Sequence, residues 1–229
     1  MRIAVIPARG GSKRIPRKNI KCFGGQPIIA WSIAAALESN CFDRIIVSTD
    51  DHEIAEVAEA HGAEVPFLRP CELSDDHTGT IPVIAHAINW QNSQGKCSVN
   101  LACCIYATAP FLRAMDLKRG LEVLECGGAE YSLSVTNYAF PIQRAFRLTA
   151  ESRISMFQPE YFNARSQELE EAWHDAAQFY WGHAEAWLSG LPLFSKRSSP
   201  VVLPRHRVQD IDTPEDWLRA ELMFKLLRQ

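Results

Sequence analysis

A chain of 229 residues that is 47% hydrophobic is long enough to bury one substantial core, so a single domain over residues 1–229 is expected. A net charge of −3 argues against general nucleic-acid binding, because the basic residues are concentrated locally rather than present in excess. No apolar run approaches the ~18 residues of a membrane span, and Met1-Arg2 leads straight into a strand pattern rather than a signal peptide. The seven cysteines are odd in number and form no C-x-x-C pair, and Cys103-Cys104 sits among apolar neighbours as core filler. A cytoplasmic protein with reduced thiols is the expectation.

The first strand is Ile3-Ala4-Val5-Ile6, a continuous apolar run typical of a strand covered on both faces. Pro7 stops it, and Gly10-Gly11-Ser12 supplies a flexible turn whose amides can face a ligand. Arg9, Lys13, Arg14, Arg17, Lys18 and Lys21 then follow with no intervening acid. Cations interleaved with glycine and proline at the carboxyl end of a strand suit a polyphosphate better than a merely solvated turn. Neither the Walker string nor G-x-G-x-x-G occurs, so two familiar phosphate loops are excluded.

Next comes a helix opened by Pro27 and closed near Asn40, apolar nearly all the way round. Residues 44–49 read as the second strand, Asp51 as the N-cap of a helix over 53–61, and Gly62 as its C′ glycine. A short third strand is expected at 64–68, then a polar loop over 74–80 and a helix through Trp90. Residues 99–106 form another buried strand, followed by a helix over about 116–126 and a strand near 131–135. This alternation implies an α/β fold, a Rossmann-like, mostly parallel sheet flanked by helices. Ligands in such folds sit beyond the carboxyl ends of the strands. The loops 8–19, 69–80 and 107–113 would line that rim.

Between 138 and 171 the rhythm breaks into short pieces bearing Phe140, Phe146, Phe157, Tyr161 and Phe162. That aromatic density argues against disorder and for an inserted appendage that packs on a partner chain. Beyond it, His174 and Asp175 are adjacent on a strand and point to opposite faces, which speaks against a catalytic dyad. Gln178, Phe179 and Trp181 suit a polar and aromatic wall for a sugar-sized ligand, or, for the two aromatics, core on one strand face. At the end, Asp210 and Asp212 share one face of an extended segment and could converge on a hard cation. Thr213-Pro214-Glu215-Asp216 is a helix start, and acids there can instead serve the helix N-terminus.

Ala8-Arg9-Gly10-Gly11-Ser12-Lys13 with Ile15-Pro16-Arg17-Lys18-Asn19 resembles the LARxGSKxLPxKN signature of the cytidylyltransferases that activate sialic acid and related nine-carbon keto sugars. The resemblance extends to Val47-Ser48-Thr49-Asp50, Arg69-Pro70, residues 73–80, Ala107-Thr108-Ala109-Pro110 and the D-x-D-T-P-E-D ending. It is closest to the branch of the family acting on pseudaminic acid, on the strength of Tyr106-Ala107-Thr108-Ala109-Pro110, His174-Asp175 and Gln178-Phe179-Tyr180-Trp181. The resemblance implies transfer of CMP from CTP to a nonulosonic acid, with sialic, legionaminic or 3-deoxy-octulosonic acid as the alternative sugars. A nucleotide-binding module without catalysis is a further alternative.

On this reading Arg9, Lys13 and Lys18 hold the triphosphate together with the backbone of Ala8, Gly10 and Gly11, supported by Ser12 and Asn19. Arg69, Asp76, Thr78, Gly79 and Thr80 resemble the cytosine and ribose contacts. Tyr106, Thr108, Arg165, Gln178, Phe179 and Trp181 are the sugar candidates. Asp210 and Asp212 are the metal candidates, for Mg²⁺ with Mn²⁺ as a substitute. Asp212 joins the three cations as the catalytic set, and the proton acceptor is left open between metal-bound hydroxide, Asp212 and solvent. The family's corresponding region makes a dimer and lends residues to the neighbouring site, so a homodimer is implied.

Overall fold

The computed structural model describes residues 1–95 and 97–227. In chain order the strands are β1 (Arg2–Pro7), β2 (Cys22–Phe23), β3 (Gln26–Pro27), β4 (Arg44–Ser48), β5 (Leu101–Ile105), β6 (Tyr131–Asn137), β7 (Phe146–Leu148), β8 (Ile154–Met156), β9 (Trp173–His183) and β10 (Ser198–Val202). The helices are α1 (Ile28–Ser39), α2 (His52–Ala60), α3 (Thr80–Ser93), α4 (Ala114–Gly127), α5 (Ala184–Leu188) and α6 (Pro214–Leu227). Six of the strands form one sheet in the order β10-β6-β9-β5-β1-β4. β1 runs parallel to both β4 and β5, and β6 parallel to β10.

β9 is the exception, antiparallel to both its neighbours. Its direction follows from where the chain has been. β6 ends at the rim, residues 138–172 stay there, and Trp173 re-enters opposite Asn137, so the strand can only run back down the sheet. The expected third strand over 64–68 is reduced to two isolated bridges, Ile46 with Glu64 and Thr49 with Leu68. Pro66 between them lacks the N–H a ladder needs.

Strand alternation sends successive side chains into two cores. Ala4, Ile6, Cys103, Ile105, Phe179 and Trp181 pack with Ile29, Ile33, Leu117, Leu121 and Leu124 of α1 and α4. Ile3, Val5, Cys104, Tyr131 and Tyr180 pack with Ile84, Ile88 and Trp187 of α3 and α5. A third cluster joins Ile15 of the first loop, Phe23 and Ile28 to Ile211 and to Trp217, Ala220 and Phe224 of α6. Phe23 lies edge-on to Trp217 and Phe224 at 5.4 and 5.1 Å. At ~25 cal/mol per Å² of apolar area, such a cluster is what brings the two ends of the chain to one place.

The chain steps from β1 outward to β4 and then back past β1 to β5. The crevice beyond the carboxyl ends of β1 and β5 is therefore a topological switch point, where open α/β sheets bind ligands. Residues 138–172 form the β7–β8 hairpin and short turns outside the sheet, and Phe140, Phe146, Leu148, Phe157 and Phe162 are all exposed there. Among the described residues no helix is long and apolar enough to cross a membrane.

Candidate active site

A cleft of about 520 Å³ occupies the switch point. Its walls include Arg9, Ser12, Lys13, Lys18, Asn19, Arg69, Asp76, Thr78, Gly79, Thr80, Tyr106, Thr108 and Asp212. Four segments far apart in sequence supply these residues: the loops after β1, around 69–80 and after β5, and the stretch before α6.

The first loop is held in shape from below. Ala8 is fully buried and its N–H donates to the Ser48 carbonyl at 2.9 Å. The Gly10 N–H donates to Asp50 Oδ1 at 2.9 Å, and a Cβ at Gly10 would stand 2.6 Å from Asp51 Oδ2. Arg17 takes a left-handed φ of 54° and is clamped by the carboxylates of Asp51 and Glu53. Asn19 is buried and donates to the Arg9 carbonyl at 2.9 Å. The expected exposure of loop amides is thus corrected in part. Ala8, Gly10 and Ser12 spend their N–H groups on the protein itself, Ser12 on the Gly10 carbonyl at 3.0 Å. The cationic side chains, not those three amides, are what the loop offers the cleft.

Those cations are matched by acids from across the crevice. Asp76 receives Arg9 at 2.7 Å and also Lys13, and these two hold its carboxyl at about 2, Lys13 contributing most. Asp212 receives Arg14 at 2.9 Å and Lys18 at 3.2 Å. Arg14, which the sequence shows only as one member of the charge run, also stands on the cleft wall. Arg69 is buried, 3.9 Å from Asp50, with Nε and Nη2 making no hydrogen bond among the described residues. Burial lowers the Arg69 guanidinium below its ordinary value, with Arg9 adding to it and Asp50 opposing. Unpaired buried donors of this kind call for an acceptor from a ligand.

The Asp210–Asp212 segment is set by its middle residue. Ile211 is fully buried in the third cluster, which leaves the flanking acids on the other face of the segment. Withdrawal from water raises the Asp210 carboxyl, and the charge of Asp212 raises it further. The helix cap is made elsewhere. Asp216 Oδ2 accepts the Thr213 N–H at 2.8 Å while Thr213 Oγ1 accepts the Asp216 N–H at 3.2 Å, so the capping box is complete without Asp210. Among the described residues there is no cluster of three or more His, Cys, Asp or Glu that could hold a metal alone. Asp212 lines the cleft and Asp210 stands beside it outside the lining residues, and two mutually repelling carboxylates suit a hard divalent cation that completes its shell from phosphates and water.

Other candidates fall outside the cleft. Phe179 and Trp181 are fully buried, and Trp181 Nε1 donates to the Leu117 carbonyl at 3.0 Å. Their reading as a sugar wall is corrected. On β9 they face α1 and α4, and the core reading of the same pair holds instead. Gln178 is also buried, donating to the Arg207 carbonyl at 2.6 Å. Arg165 lies exposed on the appendage, away from the residues lining this cleft. His174 Nδ1 contacts the Asp175 carbonyl rather than its carboxylate, so the two make no dyad.

The chain matches the family model described as "Cytidylyltransferase" over residues 3–212. It is 44% identical to a pseudaminic acid cytidylyltransferase of Campylobacter jejuni, covering 98% of this chain and 96% of that protein. It is 31% identical to a CMP-N,N'-diacetyllegionaminic acid synthase of Legionella pneumophila, over 98% of this chain and 96% of the relative. Among solved structures it is similar to a CMP:2-keto-3-deoxy-manno-octonic acid synthetase complexed with CTP, with a TM-score of 0.69, 17% identity and 99% of each chain covered. That last likeness is one of fold. The family match and the identity over nearly the whole length carry the assignment: the chain belongs to the cytidylyltransferase family.

Proposed function

We propose that the protein transfers CMP from CTP to a nonulosonic acid, pseudaminic acid, releasing pyrophosphate. The anomeric hydroxyl attacks the α-phosphorus as the bond to the β-phosphate oxygen breaks. That hydroxyl is tertiary and sits beside a carboxylate, so it must approach an anionic phosphate against both crowding and charge. Positioning and charge cancellation are therefore the main tasks of the site. Arg9, Lys13 and Lys18 bind the triphosphate, with Ser12, Arg14 and Asn19 supporting them. Arg69 with Thr78, Gly79 and Thr80 receives the nucleoside, the unpaired Arg69 donors meeting its acceptor atoms. Tyr106 and Thr108 face the sugar acid.

Asp210 and Asp212 would hold Mg²⁺ or Mn²⁺, which lowers the negative charge that the nucleophile meets. The residues a non-catalytic module would be free to lose, Lys13, Lys18, Asp210 and Asp212, are all present. The exposed aromatics of the appendage support a homodimer in which Arg165 reaches the partner's cleft. The seven free cysteines suit the reducing cytoplasm, where CTP is available.

The observation that carries this reading is the convergence of Lys18 and Asp212 in one cleft at the switch point. The experiment is incubation with CTP, Mg²⁺ and a panel of nonulosonic acids, following CMP-sugar and pyrophosphate together. Equimolar formation of both, dependent on the sugar, is expected. CTP binding without turnover of any sugar in the panel would overturn it.

A further inference from the structure

Behind the wall formed by Tyr106 lies a chain of hydrogen bonds that the catalytic reading does not use. The Tyr106 hydroxyl is 3.1 Å from the hydroxyl of Tyr180, and the two rings meet edge to face at 5.5 Å. Tyr180 is buried and its hydroxyl donates to Asp175 Oδ2. Asp175 Oδ1 accepts the Ala177 N–H at 2.8 Å. The backbone is bent to make this possible. Residues 176–179 stand opposite Ser134 alone, with Ala177 at a φ of 49°. Such a bulge at a sheet rim re-aims a side chain, and a left-handed alanine is a strained conformation that its surroundings must hold. Here it turns Asp175 back onto the tyrosine five residues ahead.

A phenol has one proton to give. The Asp175 carboxylate is the strongest acceptor in reach, and the Tyr180 hydroxyl donates its one hydrogen bond there. Tyr180 is then left with lone pairs, so the Tyr106 proton points to it. Burial pushes the Tyr106 phenol up to about 12, so the group stays protonated at neutral pH. What remains on Tyr106 is acceptor capacity, beside the Thr80 hydroxyl, in a cleft whose cations Arg9, Lys13, Arg14 and Lys18 are gathered around the acids Asp76 and Asp212.

We infer that Asp175 and Tyr180 fix the Tyr106 hydroxyl as a hydrogen-bond acceptor, making Tyr106 a specificity-determining residue that receives an amide N–H of an acetamido-bearing sugar acid. Asp175 and Tyr180 are positioning residues. The arrangement also disfavours phosphate or carboxylate oxygens at that wall, keeping them on the cationic side. It rests on the proposed function, since the sugar must occupy this cleft.

The test is steady-state kinetics on Tyr106→Phe, Tyr180→Phe and the double variant, with CTP and pseudaminic acid varied separately. Tyr106→Phe should raise the sugar KM about tenfold or more, the scale for leaving one buried donor unpaired. Tyr180→Phe should raise it roughly three- to tenfold while kcat and the CTP KM stay within twofold. The double variant should match Tyr106→Phe alone, because Tyr180 acts only through Tyr106. Additive losses, or an unchanged sugar KM in Tyr180→Phe, would overturn the inference. If Tyr180→Phe does not fold, Asp175→Asn takes its place with the same expected split. Failure of the wild type to use any nonulosonic acid would instead defeat the functional reading.

Discussion

Lys18 Nζ donates to the Ile211 carbonyl at 2.5 Å and lies 3.2 Å from Asp212 Oδ1, joining the first loop to the last acidic segment across 194 positions of sequence. The contact is possible because Ile15 and Ile211 are buried in the same apolar cluster, which sets the loop and the acidic segment side by side. Replacing Lys18 with Ala should lower turnover by about two orders of magnitude, the scale typical of losing one electrostatic donor. The fold should survive with a stability loss of about 1–3 kcal/mol, since Lys18 is mostly buried and its charge-assisted bond to the Ile211 carbonyl is lost as well. Full activity in Lys18→Ala would remove the loop from the reaction.

Asp210→Asn and Asp212→Asn retain shape and delete charge. Each should abolish activity or require much more Mg²⁺, with an unchanged melting temperature, as the Thr213–Asp216 capping box is left intact. A magnesium titration of activity beside a melting curve separates the two roles. Active variants that merely melt earlier would assign the acids to the helix start.

Gly120 on α4 tests where Phe179 and Trp181 lie. Glycine to alanine inside a helix ordinarily stabilises by up to about 1 kcal/mol. A Cβ at Gly120 would stand 2.5 Å from Phe179 and 2.8 Å from Trp181, so Gly120→Ala should destabilise by about 1–3 kcal/mol. Phe179→Ala should lose about 3–5 kcal/mol. Denaturant unfolding measures both. A Phe179→Ala protein of normal stability and altered sugar preference would restore the sugar-wall role.

The same pair shows what the sequence could and could not convey. Period two places Phe179 and Trp181 on one face of β9, but an aromatic face looks alike whether it meets helices or a ligand. Direction was legible only through the return from the appendage at Trp173. The bulge over residues 176–179 has no sequence signal in Ala176-Ala177, so the approach of Asp175 to Tyr180 was hidden. The place of the first loop on the cleft wall was legible because glycine, proline and cations follow directly on the end of a buried strand. The use of its amides is not legible, because Asp50 and Ser48 lie about 40 residues away in the chain and a local reading does not bring them beneath it. Arg14 shares its partner Asp212 with Lys18, and nothing in the charge run sets it apart from its neighbouring cations. Its contact with Asp212 depends on Ile15 and Ile211 meeting in the third cluster, which a local reading of the loop does not show.

Asp51 gives a pH dependence. Arg17, its main partner, holds the Asp51 carboxyl at about 2, while the side chain also accepts the Ile54 N–H as the cap of α2. A carboxyl lowered on folding contributes stability that is complete above its unfolded value near 4 and is lost as pH falls from about 4 to about 2. Because Arg17 is more than a third exposed, the contribution is discounted to about 1 kcal/mol, or roughly 2–4 °C in a chain of this size. Wild type should therefore lose that much more than Asp51→Asn between pH 5 and pH 2, asparagine preserving the cap. Parallel acid slopes in the two proteins would show that the pair is not coupled to folding.

The most direct measurement is the ratio of kcat/KM for pseudaminic acid over sialic acid, taken on the wild-type protein with CTP and Mg²⁺ under identical conditions. Single apolar differences discriminate by about 10–200-fold, and a mismatched buried polar group by more. A ratio of at least about tenfold in favour of pseudaminic acid, with CMP-sugar and pyrophosphate formed in equal amounts, is the predicted result. A ratio near one, or a preference for sialic acid, would contradict the assignment of the sugar.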